Sequence, residues 1–230
     1  MRRTSIAALA GAALLLAACG NGDNGDVDAN GDDNGAAADD VVAEYQESGV
    51  TLGVANEVPF GYVGDDGEVT GIGPEVAMAV LDEMGIEVND SEVVEFGELI
   101  SGLQAGTFDI ITAGMYITPD RAAQAHFTDP DYCVAEGLAV EEGNPHDVHN
   151  YQDIVDNPDV IVAVASGTVE VDYLEDAGVP DDQIDTYGDI DGMYRALEAG
   201  EVDVVTGTKA TVDTQVAARD GMESVEGFFP

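Results

Sequence analysis

The sequence predicts an α/β protein of two lobes, and three observations carry that prediction. From Gly49 onward, short apolar runs alternate with helical patterns. The helices between the runs are about 10–15 residues long, the spacing of crossovers between parallel strands. A break in composition at Glu141-Glu142-Gly143-Asn144-Pro145 then divides the alternating region in two. The expected organisation is residues 1–18 as a signal peptide, 19–44 as a lipidated Cys and disordered acidic linker, 45–134 as a first lobe and 135–230 as a second.

The amino terminus reads as a targeting segment. Met1-Arg2-Arg3 is a short basic start, and Ile6 to Ala18 is an apolar run too short to span a bilayer as a stable helix. It ends Leu16-Ala17-Ala18-Cys19-Gly20, which resembles the bacterial lipobox. Acylation at Cys19 would tie the chain to the outer face of a membrane without a spanning helix. The Gly, Asn, Asp and Ala residues that follow cannot bury a core and predict a flexible tether. About 20 such residues reach on the order of 25 Å.

In the body, Val50 to Ala55 reads as a strand and Asn56 to Phe60 as the loop leaving it. Gly64-Asp65-Asp66-Gly67 is a hairpin turn signal. Pro74 to Met84 is helical, with Pro near its start and Gly85 after its end. Ile86 to Val94 is strand-like, Gly97 to Ala105 helical, and Phe108 to Ala113 a strand again. Ala135 to Val140 is a further strand, and a short helix ends at Pro158. Val160 to Ala165 is a buried run, followed by Ser166-Gly167-Thr168 opening a helix to Ala177. Ile184 to Tyr187, Met193 to Ala199, Val202 to Thr206 and Lys209 to Ala218 continue the alternation. These elements imply parallel sheets, whose ligands bind beyond the carboxyl ends of the strands. Ser166-Gly167-Thr168 would offer free backbone N–H groups to an anionic oxygen there.

Charge narrows the function. The chain carries 48 Asp and Glu against six Lys and Arg, a formal net charge of −42. Such a field repels nucleic acid and anionic lipid surfaces. It suits a salty exterior, where self-repulsion is screened over about 3 Å at 1 M salt. With Cys19 assigned to a lipid, Cys133 stands alone, so neither a disulfide framework nor a Cys-based metal site can be built. No cofactor is expected.

Against that background, Ile110 to Arg121 is the informative stretch. It begins as an apolar strand and ends in a helix start, with Thr118 as N-cap and Pro119 at the first helical position. Arg121 then lies in the first turn, where the helix dipole disfavours a cation. A guanidinium placed there suggests an anion to hold, either a bound ligand or one of the many surface carboxylates.

The segment Asp109 to Arg121, the stretch Phe127-Thr128-Asp129-Pro130-Asp131-Tyr132 and the Gly167-Thr168 turn resemble the family-3 solute-binding proteins of amino-acid ABC transporters. The likeness covers about residues 45 to 230. Within that family it points to members that bind ectoine or hydroxyectoine, through Ala55-Asn56-Glu57-Val58-Pro59-Phe60, Gly102-Leu103-Gln104-Ala105-Gly106 and Cys133-Val134-Ala135-Glu136, among others. The resemblance implies a type II periplasmic-binding-protein fold, a clamp whose lobes close on a small zwitterion. It implies a monomer that delivers its ligand to ABC permease subunits and meets the membrane only through its lipid anchor, with no nucleic acid involved.

The resemblance also implies the site. Arg121 would hold the ligand carboxylate, helped by Thr118 and the backbone at Gly167 and Thr168. Phe60, Phe96 and Tyr116 would form an aromatic box for a diffuse ring cation, a contact of roughly 0.5–2 kcal/mol per ring, with Glu57 beside the ring N–H groups. One departure stands out. Amino-acid binders carry an Asp after the strand that is here Val202 to Thr206, and this chain has Gly207. That disfavours an ordinary α-amino acid. Members of the family continue through a second crossover and terminal helices, so the C-terminal part of the first lobe is expected to be missing, at a cost in stability. A dehydratase on the same fold would need a positioned general acid, for which His126, His146 and His149 are candidates by type only; no enzyme is expected.

Overall fold

The structure, a computed structural model, describes residues 33–230. The expected signal peptide, Cys19 and the start of the linker lie outside these residues. The rest of the expected linker is corrected: Asp33–Ser48 is a 16-residue helix, α1. Composition misled here because tertiary packing decides. Alanines 36 to 38 favour a helix. Val42 and Tyr45, on one face three residues apart, then pack on Val50, Leu52, Leu81 and Ile86.

The first lobe is built on a three-stranded parallel sheet in the order β4 (Val88–Val93), β1 (Val50–Val54), β5 (Ile110–Ile111). The acidic turn at Gly64 to Gly67 joins the hairpin β2 (Tyr62–Val63) to β3 (Val69–Thr70), as the turn signal predicts. Helix α2 (Ile72–Met84) ends in a left-handed Gly85, whose N–H returns to Asp82. Helix α3 (Leu99–Gln104) follows a 3-10 turn at Phe96–Glu98 and covers Phe108, which is 1% exposed. Phe108 lies so close to β1 that a Cβ at Gly53 would stand 2.6 Å from its ring. An apolar groove of about 650 Å3, lined in part by Val76, Val80, Met84, Ile110 and Ile111, runs beside β5.

The second lobe holds a five-stranded sheet in the order β10 (Met222–Ser224), β6 (Glu136–Glu141), β9 (Val204–Thr208), β7 (Val162–Ala165), β8 (Ile184–Tyr187). It is mixed, which corrects the expectation of purely parallel sheets. β7 runs parallel to β8 and β9, but β6 is antiparallel to β9 and to β10. The chain enters this sheet at the end facing the first lobe, where β9 finishes, so its first strand runs against the rest. Strand periodicity then sorts the core. Leu138 and Val140 of β6 face Tyr151, Ile154 and Leu174 on one side, while Ala139 faces Met193, Leu197 and Val212 on the other. The helices supplying those two layers are α5 (Tyr151–Asp156) and α6 (Val169–Ala177) against α7 (Ile190–Ala199) and α8 (Lys209–Ala217). Side-chain caps at Asn150, Asp189 and Thr208 open three of them.

Candidate ligand-binding site

The two lobes meet where their strands end. After β1 the chain turns back on itself, with the Glu57 N–H donating to the Gly61 carbonyl at 2.8 Å and the Gly61 N–H to Glu57 at 3.0 Å. This turn aims the Glu57 carboxylate across the interface. There it accepts a hydrogen bond from the Thr211 hydroxyl of α8 at 2.6 Å. Glu57 is 8% exposed. Burial pushes its pKa up to about 7, against the Thr211 hydrogen bond and with further help from Glu170.

Helix α4 (Pro119–Ala122) starts as the sequence predicts. Thr118 is its N-cap, accepting from the Arg121 N–H at 3.2 Å, and Pro119 takes the first helical position. Arg121 then reaches across the cleft. Its Nη1 donates to the Tyr116 carbonyl and its Nη2 to the Gly167 carbonyl, both at 3.0 Å. The guanidinium carbon lies 5.5 Å from the centroid of the Phe96 ring, a cation–π contact. Arg195, Lys209 and Arg219 all form ion pairs with Asp or Glu. Arg121 forms none among the described residues, in a chain with 48 acids.

Glu57, Phe96, Tyr116, Arg121 and Thr168 line one cavity together with Gly114, Glu170 and Thr208. It is small, about 20 Å3, enough for a water-sized guest. Glu57, Thr168 and Glu170 also line a second cavity of about 20 Å3, under Gly207. The clamp is closed, and a ring-sized solute enters only if the lobes part. Backbone meets backbone at the closure: a Cβ on Gly167, whose φ is +77°, would lie 2.6 Å from the Gly97 Cα.

Three expected site residues sit differently. Phe60 is 3% exposed and does not line the cavity; its ring packs under Gly114 and edge-on to Tyr132, with centroids 5.6 Å apart. Gly167 presents its carbonyl to Arg121 rather than an N–H to an anion. Thr118 acts on Arg121 through the backbone and lies outside the cavity lining. None of the three histidines lines it either; His146 faces Asp203 and His149 faces Asp147.

Sequence reasoning missed two groups. Glu136, at the start of β6, is 3% exposed and accepts from the Tyr116 hydroxyl at 2.9 Å, while its second oxygen, Oε2, has no hydrogen-bond partner. Burial, followed by Glu170, pushes its pKa up to about 8. The same burial, with Glu136 beside it, raises the Tyr116 phenol. Glu170, in the first turn of α6, is 4% exposed. Glu136 closes the Cys133 to Glu136 segment of the resemblance but has no role assigned by it, Glu170 lies in none of the segments that carry the resemblance, and each is one acid among 48.

Two α/β lobes closing over a guanidinium, an aromatic face and buried carboxylates define a ligand-binding clamp of the type II periplasmic-binding-protein fold. Residues 50–182 match the bacterial extracellular solute-binding proteins, family 3, and the chain belongs to that family. A probable amino-acid ABC transporter periplasmic-binding protein of Sinorhizobium fredii, y4tE, is 32% identical over 78% of this chain and 60% of its own length. The ABC transporter arginine-binding protein 1 of Escherichia coli is 28% identical over 71% of this chain and 65% of its own. The chain thus spans under two thirds of both relatives. The solved structure of EhuB in complex with hydroxyectoine superimposes with a TM-score of 0.75 at 34% identity, covering 80% of this chain and 73% of that one.

Proposed function

We propose that this protein is the lipid-anchored binding component of an ABC importer for ectoine or hydroxyectoine. The observation that carries the reading is Arg121: a cleft guanidinium without an acidic partner among the described residues, lying over Phe96 and sharing a cavity with Tyr116 and Glu57. A bidentate guanidinium suits a carboxylate. An aromatic face and a buried carboxylate suit the opposite end of the solute, a cyclic amidinium whose charge is spread over N–H groups. The likeness to hydroxyectoine-bound EhuB supports this reading. Acylation at Cys19 and release of residues 1–18 would place the clamp outside the cell membrane, where permease subunits receive its ligand.

A second reading is a cationic amino acid. Its support is the excess of buried carboxylates, Glu57, Glu136 and Glu170, over one arginine. Isothermal titration separates the two. Micromolar ectoine binding with weaker arginine and glutamine binding supports the first; arginine binding without heat from ectoine overturns it.

A further inference from the structure

The role of Glu170 follows from three observations. It is 4% exposed. It lines both of the small cavities at the lobe interface, with Glu57 beside it in each. No basic, hydroxyl or amide group among the described side chains donates to it; its one polar partner is the Glu136 carboxyl, an acid that can satisfy a single Glu170 oxygen only by keeping its own proton. Burying a carboxylate whose one polar partner is another acid, with no cation beside it, costs several kcal/mol. The helix dipole, which favours an acid in the first turn of α6, returns only about 0.3–1 kcal/mol. Folding therefore gives no reason to bury an acid here. The Asp that amino-acid binders carry after the strand is also absent, since Gly207 stands in β9 opposite Gly137.

We infer that Glu170 is the second lobe's grip on the ligand cation, so that Glu57 from one lobe and Glu170 from the other bracket a cationic group bearing at least two N–H donors. This rests on the reading of the cleft as the solute site. It adds a selection rule to it. An amidinium or guanidinium can donate to both carboxylates and draws the lobes together through its own charge. A quaternary ammonium has no N–H to give and would leave Glu170 and the second oxygen of Glu57 without a ligand donor, a strong form of rejection for a polar site. The site thus favours ectoine-like and guanidinium solutes over betaines of similar size.

The test is titration of wild type and E170Q with ectoine, arginine and glycine betaine, alongside the melting temperature of each ligand-free protein. E170Q keeps the shape and removes the charge. The expected result is at least a tenfold loss of affinity for whichever of ectoine or arginine the wild type binds, at least a hundredfold wild-type preference for that ligand over glycine betaine, and an unchanged or raised ligand-free melting temperature. Wild-type affinity retained in E170Q overturns the inference and leaves the solute site standing. A lowered ligand-free melting temperature makes Glu170 a structural group and overturns it as well. If the wild type binds none of the three, the solute-site reading falls and the inference with it.

Discussion

The Thr211 hydroxyl donates to the Glu57 carboxylate at 2.6 Å, joining α8 of one lobe to the loop after β1 of the other. It is a direct fastening of the closed clamp. A hydrogen bond to a charged group contributes about 1.5–3 kcal/mol. We expect Thr211→Val to weaken ligand binding by roughly ten- to a hundredfold on that basis, and to shift ligand-free molecules toward open forms. Calorimetry reads the first effect and small-angle scattering the second; a variant as compact as wild type without ligand would contradict the fastening.

Arg121→Lys keeps the charge and discards the fork. An ammonium cannot hold the Tyr116 and Gly167 carbonyls, lie flat on Phe96 and offer two parallel donors to a carboxylate at once. Affinity should fall at least tenfold while the melting temperature of the ligand-free protein moves little. Wild-type affinity in the lysine variant would show that the carboxylate is held elsewhere.

How much of this was legible beforehand depends on what kind of signal each residue carries. The start of α4 is local chemistry: a capping hydroxyl, a proline and a misplaced cation within four residues, and the structure forms that turn as written. Most strands and helices after Gly49 were visible for a similar reason, since periodicity is local. The antiparallel entry of β6 was not, because strand direction depends on where the chain crosses between lobes. α1 was hidden by its own composition, which is that of a linker until Val42 and Tyr45 find an apolar surface. Phe60 and Phe96 looked alike in sequence, both leaving strands, yet a backbone at Gly114 stands between one of them and the cavity. Glu136 and Glu170 were invisible because burial, not residue type, sets them apart.

Glu136 makes stability depend on pH with a definite sign. Its folded pKa, about 8, lies above the ordinary carboxyl value, so the folded protein holds a proton that the unfolded chain has released. The associated stability is complete below the ordinary range near pH 4.5 and is lost as pH rises through about 8. Glu57, at about 7, acts in the same direction. The ligand-free protein should therefore melt lower at pH 8 than at pH 5. Glu136→Gln should raise the melting temperature at pH 8 by at least the roughly 2–4 °C that 1 kcal/mol moves a protein of this size, with little change at pH 5. Equal effects at both pH values would rule out the buried charge as the cause.

Gly167→Ala should hold the clamp ajar. The added methyl would stand 2.6 Å from the Gly97 Cα, and the left-handed backbone there disfavours any side chain by about 1–2 kcal/mol. Scattering should show little ligand-induced compaction in this variant, and affinity should fall at least tenfold. Full compaction would mean that the approach of the two glycines is incidental.

Tyr45→Ala tests whether α1 belongs to the first lobe. Half-buried on Leu81 and Ile86, the ring should cost roughly 1–2 kcal/mol on removal. A melting temperature unchanged from wild type would make the helix a passenger.

The placing of Arg121 has a consequence in brine. The surface pairs of Arg195 and Lys209 stand in solvent, where molar salt shortens the reach of charge to about 3 Å and dissolves most of their worth. Arg121 is wedged between a phenyl face and two carbonyls, with little room for mobile ions to intervene. Contacts built on that arginine therefore lose less to added salt than the solvent-facing pairs do, so any carboxylate it holds should be held almost as firmly in brine as in dilute buffer.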